Sequence, residues 1–495
     1  MKIKKYKYDI LIIFSLYFVV YACMYVMHYG TDTIYAITNS NIYGKGNIAL
    51  GRYGCEAVYC LARLFHINYV KSFVFLITIM ILSFTFFSTI VSIHIQELLD
   101  VEVGFSKWII IIASVMVFAN VFVQEWFVFW ECSFQWSFSA IFLGIAIMQI
   151  KKSVNVKQVI LACAFLTLGL GFYQAILPIF LILGCTIIYI KNDGILNEKS
   201  FFETVLIVFI GGMASIINLL SIKFFQIIGM TYATSRTEPV GISTIISNVR
   251  IFIRSLLNLI ISTFGLYPKY LFAMLSLILI IGSIFNIVQG KTKVVNKICY
   301  MILLIIFSSF TIFIPHLFTS SIWLAQRTLV GFWTIGSMLI LVCWRTSKEN
   351  KSISMLCITV AVIALFVNFE MIQDIEMNIV TSNLIEQQNA MIIQDKIEEY
   401  ESESGIEIKY IAVMNDGKVT HRNPVAKYRY CDTNRALLTT SWSDVAAINF
   451  FNKKNYIKIE MPEEIYNEYV NKDWNYFNPN EQLIFDLDTL YWIIY

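Results

Sequence analysis

The first polar stretch of the chain, residues 28–63, carries the carboxylate Asp32 near its start and three cations, Lys45, Arg52 and Arg63. Asp32 falls about one helical turn past the preceding apolar segment, where the headgroup zone of a bilayer begins. An acid at that depth meets soluble hydroxyls on its water side and the head of a lipid-borne substrate on the other. That is a workable position for a general base. Arginine presents a planar fork of donors that suits phosphate, which makes Arg52 a candidate ligand. Glu56 lies in the same stretch. The hydropathy pattern sets further polar groups on the same side: Glu125, Glu131, Tyr173, Gln174, Arg236, Glu238, Arg250, Arg254, His316 and Arg327.

The elements that must position these residues are apolar. With 58% hydrophobic and 14% charged residues over 495 positions, the chain cannot form one soluble domain and is an integral membrane protein. Spans are expected at residues 10–27, 73–93, 108–123, 134–150, 202–228, 270–288, 298–314, 328–344 and 353–368. Residues 156–190 are too long for one crossing and are expected to form a two-span hairpin turning at Gly169 and Gly171. The total is about eleven spans. The N-terminal lysines, Lys2, Lys4, Lys5 and Lys7, set the N-terminus in the cytoplasm as a retained signal-anchor, and the C-terminus is then extracytoplasmic. Residues 94–107 are acidic for a cytoplasmic connection. The run QEWFVFWECS is expected to be a short aromatic outer turn, residues 48–65 an interfacial helix, and residues 229–269 partly re-entrant or interfacial structure.

After residue 369 the character changes. A long amphipathic helix is expected over residues 369–400. The runs EIKYIAVM, YIKIEM and QLIFDL read as strands, and SDVAAINFF and PEEIYNEYV as helices. The architecture is therefore mainly α: a polytopic transmembrane bundle over residues 1–369 and a small extracytoplasmic α/β domain over 370–495. Lone Cys431 and lone His421 form no catalytic constellation there, and Asp486 and Asp488 read as a strand's solvent face. The ten cysteines include no CxxC pair, which points to no disulfide framework and no metal site. A net charge of +3 suggests no nucleic-acid partner.

The spans hold few ionisable residues, which argues against an ion-coupled transporter, and no P-loop is present. A glycosyl transfer on the outer face has no nucleotide sugar available and would draw on a polyprenyl-phosphate sugar. In order along the chain, Asp32, GRYG, FWECSFQWSF, GFYQAILPIF and AQRTLVGF resemble the GtrII-type glucosyltransferase family. The resemblance implies a GT-C-like enzyme of the bacterial cytoplasmic membrane. It would move glucose or a related sugar from undecaprenyl phosphate to a surface glycan, with a donor synthase and a small flippase as partners. No cofactor beyond the lipid-linked donor is implied, and the metal requirement is open. Asp32 is then the catalytic base, and Arg52, Glu56, Glu131, Tyr173, Gln174 and Arg327 are substrate-binding candidates. Asp32 is followed by Thr33 and has no acidic neighbour. A polysaccharide polymerase, a lipid-linked glycan flippase or a scaffold is the competing class.

Overall fold

The computed structural model describes residues 3–38, 44–151, 155–234, 240–347, 350–414, 425–472, 474 and 477–494. Arg236, Glu238, His421 and the side chain of Lys45 lie outside the described residues. The chain is mostly helical: α1 (Lys7–Val20), α2 (Thr31–Thr38), α3 (Gly44–Ala49), α4 (Tyr53–Leu64), α5 (Phe73–Leu99), α6 (Phe105–Met116), α7 (Val121–Val128), α8 (Ser133–Ile147), α9 (Val156–Leu170), α10 (Leu177–Lys191), α11 (Glu198–Ile227), α12 (Ile242–Ser262), α13 (Leu271–Gln289), α14 (Val294–Thr311), α15 (Ile314–Leu317), α16 (Phe332–Thr346), α17 (Lys351–Ser404), α18 (Asp444–Asn452), α19 (Glu463–Tyr469) and α20 (Pro479–Gln482). Strands β1 (Tyr410–Met414), β2 (Ile457–Ile459), β3 (Leu483–Asp486) and β4 (Thr489–Ile493) lie near the C-terminus. The chain divides into two compact units. One comprises Met1–Tyr25, Tyr43–Phe127 and Cys132–Gln373; the other comprises Val26–Ile42, Val128–Glu131 and Asp374–Tyr495.

Among the described residues, seven helices are long and apolar enough to cross a bilayer, or eight if α6 and α7 count as one bent span. The difference from eleven lies in α1, α8, α9 and α16, each of 14 or 15 residues, against the roughly 20 a span usually takes. In the other direction, residues 242–262 form one continuous helix where the sequence predicts broken apolar runs. Its buried residues, Asn248, Phe252, Ser255 and Leu259, make a single stripe. Its first half and midpoint are tied to the segment that follows α14. Asn248 donates to the carbonyls of Leu317 (3.1 Å) and Thr319 (3.0 Å), and Phe252 stacks on Phe313 at 4.8 Å. Just beyond the helix, Tyr267 meets Trp333 and Phe272 meets Phe332.

Elsewhere in this unit the connections between helices meet one another. Lys5 pairs with Glu102 (2.8 Å) and Lys107 with buried Asp9 (2.6 Å), so the 94–107 connection is tied to the N-terminal segment by one ion pair of each polarity. Lys191 donates to the Lys151 carbonyl (3.2 Å), Arg345 to that of Ile190 (2.9 Å), Asn296 to that of Leu196 (2.8 Å), and Trp344 to Ser106 (3.1 Å). The expected hairpin breaks between α9 and α10. Gly171 has an ordinary helical φ of −65°, and what it supplies there is room: a Cβ would come within 2.5 Å of the Tyr53 ring.

Three further expectations are corrected. The span over residues 108–123 is broken, with α6 and α7 meeting at 46°. Buried Asn120 draws its amide to the carbonyls of Met116 (3.2 Å) and Val117 (2.9 Å) and accepts from the Phe122 N–H (3.1 Å), which diverts the helical ladder. The QEWFVFWECS run is a buried helix and a 3₁₀ turn, with Glu125 and Glu131 each about 1% exposed. Likewise the eleventh span and the amphipathic segment after it are a single helix, α17, of 54 residues, or about 80 Å at 1.5 Å per residue.

In the second unit the sheet order is β2-β1-β4-β3, with β1 parallel to both β2 and β4, and β3 antiparallel to β4. β4 was not expected. Asp486 is the exposed last residue of β3, as expected, whereas Asp488 lies in the β3–β4 turn, where Leu487 has φ +50° and the Asp488 carbonyl accepts from the Lys409 and Tyr410 amides. Ala390, Ile393 and Ile397 of α17 recur at helical spacing and pack with Ile411, Leu437, Ile448, Leu490 and Trp492. Ile34 of α2 is buried in the same core.

Candidate functional site

Arg52 precedes α4 at a turn made by Gly51. The φ of Gly51 is +76°, and a Cβ there would lie 2.8 Å from Gln174 and Ile222 and 2.9 Å from Asn218. The Gln174 amide donates to the Leu50 carbonyl (2.7 Å) and the Asn218 amide to that of Gly51 (3.1 Å). Gln174 therefore builds the turn that carries Arg52. The guanidinium lies 4.9 Å from the Tyr173 ring centroid, within cation–π range. Tyr173 stands edge-on to Trp136 (4.5 Å, 85°) and Trp126 (5.8 Å, 88°), and the two indoles stack at 4.8 Å. The Tyr173 hydroxyl and Trp126 Nε1 both donate to the Arg327 carbonyl, at 3.3 and 3.0 Å.

Arg327 in turn pairs with Glu125, Nη1 to Oε1 at 2.9 Å, while its backbone N–H donates to the other carboxylate oxygen. A buried carboxylate without such a partner would cost several kcal/mol, roughly 3–5 on loss of one member, so each residue needs the other. In the same neighbourhood three buried donors find no acceptor among the described residues: Arg52 Nε, Gln135 Nε2 and Trp136 Nε1. Gln135 is tied to α4 by Cys55, whose thiol donates to its Oε1 (2.9 Å). Unmatched buried donors are rare in folded proteins, and several together suit an acceptor-rich group such as phosphate. Glu56 pairs with Arg63 (2.6 Å).

Asp32 and Glu131 belong to the second unit. The half-buried Asp32 sits in the first turn of α2, which is fixed from behind by Ile34. Before α2, Tyr29 N–H donates to Asn383 (2.7 Å), and Gly30 leaves no room for a Cβ against Phe129, 2.8 Å away. Trp442 Nε1 donates to Asp32 Oδ1 (3.1 Å), and Arg435 covers the Trp442 ring at 4.6 Å while pairing with Asp432 (3.1 Å). Thr33, beside Asp32, donates to Glu131 Oε2 at 2.6 Å. A second carboxylate thus approaches the first loop through space rather than as an adjacent residue. Among the described residues no group of three or more His, Cys, Asp or Glu side chains is placed to hold a metal ion.

Of the residues singled out in sequence, the structure brings Arg52, Tyr173, Gln174 and Arg327 together in one unit, and joins Glu131 to the helix of Asp32 in the other. It adds Trp126, Trp136 and Trp442, and pairs Glu125, named in sequence, with Arg327. The tryptophans in FWECSFQW and TTSWSD were visible in the sequence, but nothing local tied them to a partner.

These features define a multi-pass helical membrane protein in which arginine, carboxylate and indole groups pack together. Residues 21–344, more than half of the chain, match the family described as glucosyl transferase GtrII, and the chain belongs to that family. Its reaction class is accordingly glycosyl transfer at a membrane. No curated protein and no solved structure matches the chain.

Proposed function

We propose that the protein transfers glucose or a related sugar from a polyprenyl-phosphate carrier to a cell-surface glycan on the outer side of the cytoplasmic membrane. The observation that carries this reading is the Arg52 cluster, a cation on an aromatic bed with buried donors that lack acceptors. Asp32 takes the proton of the acceptor hydroxyl. The freed oxygen attacks the anomeric carbon of the donor sugar, and the bond from that carbon to the phosphate oxygen breaks. The electron pair leaves with polyprenyl phosphate, whose charge Arg52 neutralises. Arg327, held by Glu125, orients Tyr173 through its carbonyl. Glu131 fixes α2 through Thr33.

Asp32→Asn tests this directly. It keeps size and a hydrogen-bond acceptor for Trp442 but removes the base. The expected result is normal membrane accumulation with sugar transfer lowered about 10²–10⁴-fold, the usual contribution of a general base. Near-normal transfer by the variant would remove Asp32 from the mechanism.

A further inference from the structure

The second unit contains a cleft of about 640 Å³ bordered by α2, α18 and the segment that follows α18, within the roughly 300–1,000 Å³ of small-molecule sites. Its aromatic residues include Tyr35, Trp442 and Tyr456. Trp442 remains 39% exposed, with Arg435 over its ring. A flat ring of this kind packs against the C–H face of a pyranose. Its charged lining is one carboxylate, Asp444, and three ammonium groups, Lys453, Lys454 and Lys458. Asp444, 2% exposed, accepts from Lys458 through both oxygens, at 2.8 and 2.6 Å, so that pair cancels. Burial pushes the Asp444 carboxyl above its ordinary range, and Lys458 opposes that shift. Lys454 has only a 3.7 Å contact with partly exposed Glu398, and Glu401 and Glu407 bear on Tyr456 without lining the cleft, so Lys453 and Lys454 are the charges that the lining itself leaves unmatched.

We propose that this cleft is the acceptor site and takes a glycan segment bearing anionic groups, phosphate or carboxylate. The assignment rests on the transfer reading above. The hydrogen bond from Trp442 to Asp32 links them: a sugar resting on the indole brings a hydroxyl beside the carboxylate that would deprotonate it. Tyr35, one turn along α2 from Asp32, forms the adjoining wall.

The test is equilibrium binding to the full chain in nanodiscs without any lipid-linked sugar, using three tetramers: maltotetraose, oligogalacturonate and oligo(glycerol phosphate). At least one anionic probe is expected to bind ten times or more tighter than maltotetraose, with a preference that shrinks as salt rises, and the tighter of the two identifies the anion. The double variant Lys453→Gln, Lys454→Gln changes two surface side chains and should abolish that preference while leaving maltotetraose binding unchanged. Equal binding of all three probes, or a preference that survives in the double variant, overturns the site. If that happens in a protein that transfers sugar and loses transfer in Asp32→Asn, the acceptor assignment fails and the enzyme reading stands. If the anionic probe binds selectively but no sugar is ever transferred, the enzyme reading fails and the cleft is not an acceptor site.

Discussion

Arg52 has its guanidinium on the Tyr173 ring, and its Nε is buried without an acceptor among the described residues. Bound phosphate would remedy both the local positive charge and the unmatched donor. Arg52→Ala is therefore expected to reduce kcat/KM for the lipid-linked donor by about 10²–10³, the range for loss of one well-placed donor to developing negative charge. Arg52→Lys keeps the charge but loses the planar fork and should recover only part of it. Steady-state kinetics with varied donor check this, and equal activity of all three proteins would exclude a phosphate role. Arg52 was legible in sequence because a cation beside a membrane segment is conspicuous. Arg327 was legible for the same reason, but its pairing was not, since Glu125 stands 202 positions away.

At the scale of elements, the placement of Arg52 depends on a turn rather than on a helix. Gly51→Ala would demand a left-handed conformation, a cost of about 1–2 kcal/mol, and would also press a methyl group into Gln174, Ile222 and Asn218. The variant is expected to remain inserted, because the apolar helices are untouched, and to lose most donor binding. A donor-analogue titration beside a membrane-accumulation blot separates the two effects, and unchanged donor affinity would show that the turn does not position Arg52. Helix identity was readable wherever hydropathy ran uniformly, as in α5, α11 and α13. It was misread where a single polar side chain redirected the backbone, as Asn120 does between α6 and α7. The β3–β4 hairpin was missed because its turn, Leu487 with Asp488, contains no glycine or asparagine signal.

For the whole molecule, the proposed orientation makes a simple prediction. A reporter active only in the cytoplasm should give signal when fused before α1 and none when fused after Tyr495. Signal from both fusions would mean an even number of crossings and would move residues 374–495 to the inner side. The membrane character, the lysine-marked connections and the separate α/β composition after residue 369 were determined by sequence alone, because hydropathy and charge are sums over neighbouring residues. The continuity of α17, the attachment of residues 26–42 and 128–131 to the C-terminal unit, the Glu125–Arg327 pair and the Trp442–Asp32 hydrogen bond were decided only by tertiary structure. The last three join positions distant in the chain, which no local window of sequence contains, and for Glu125 with Arg327 the selecting energy comes from excluding water around a buried charge.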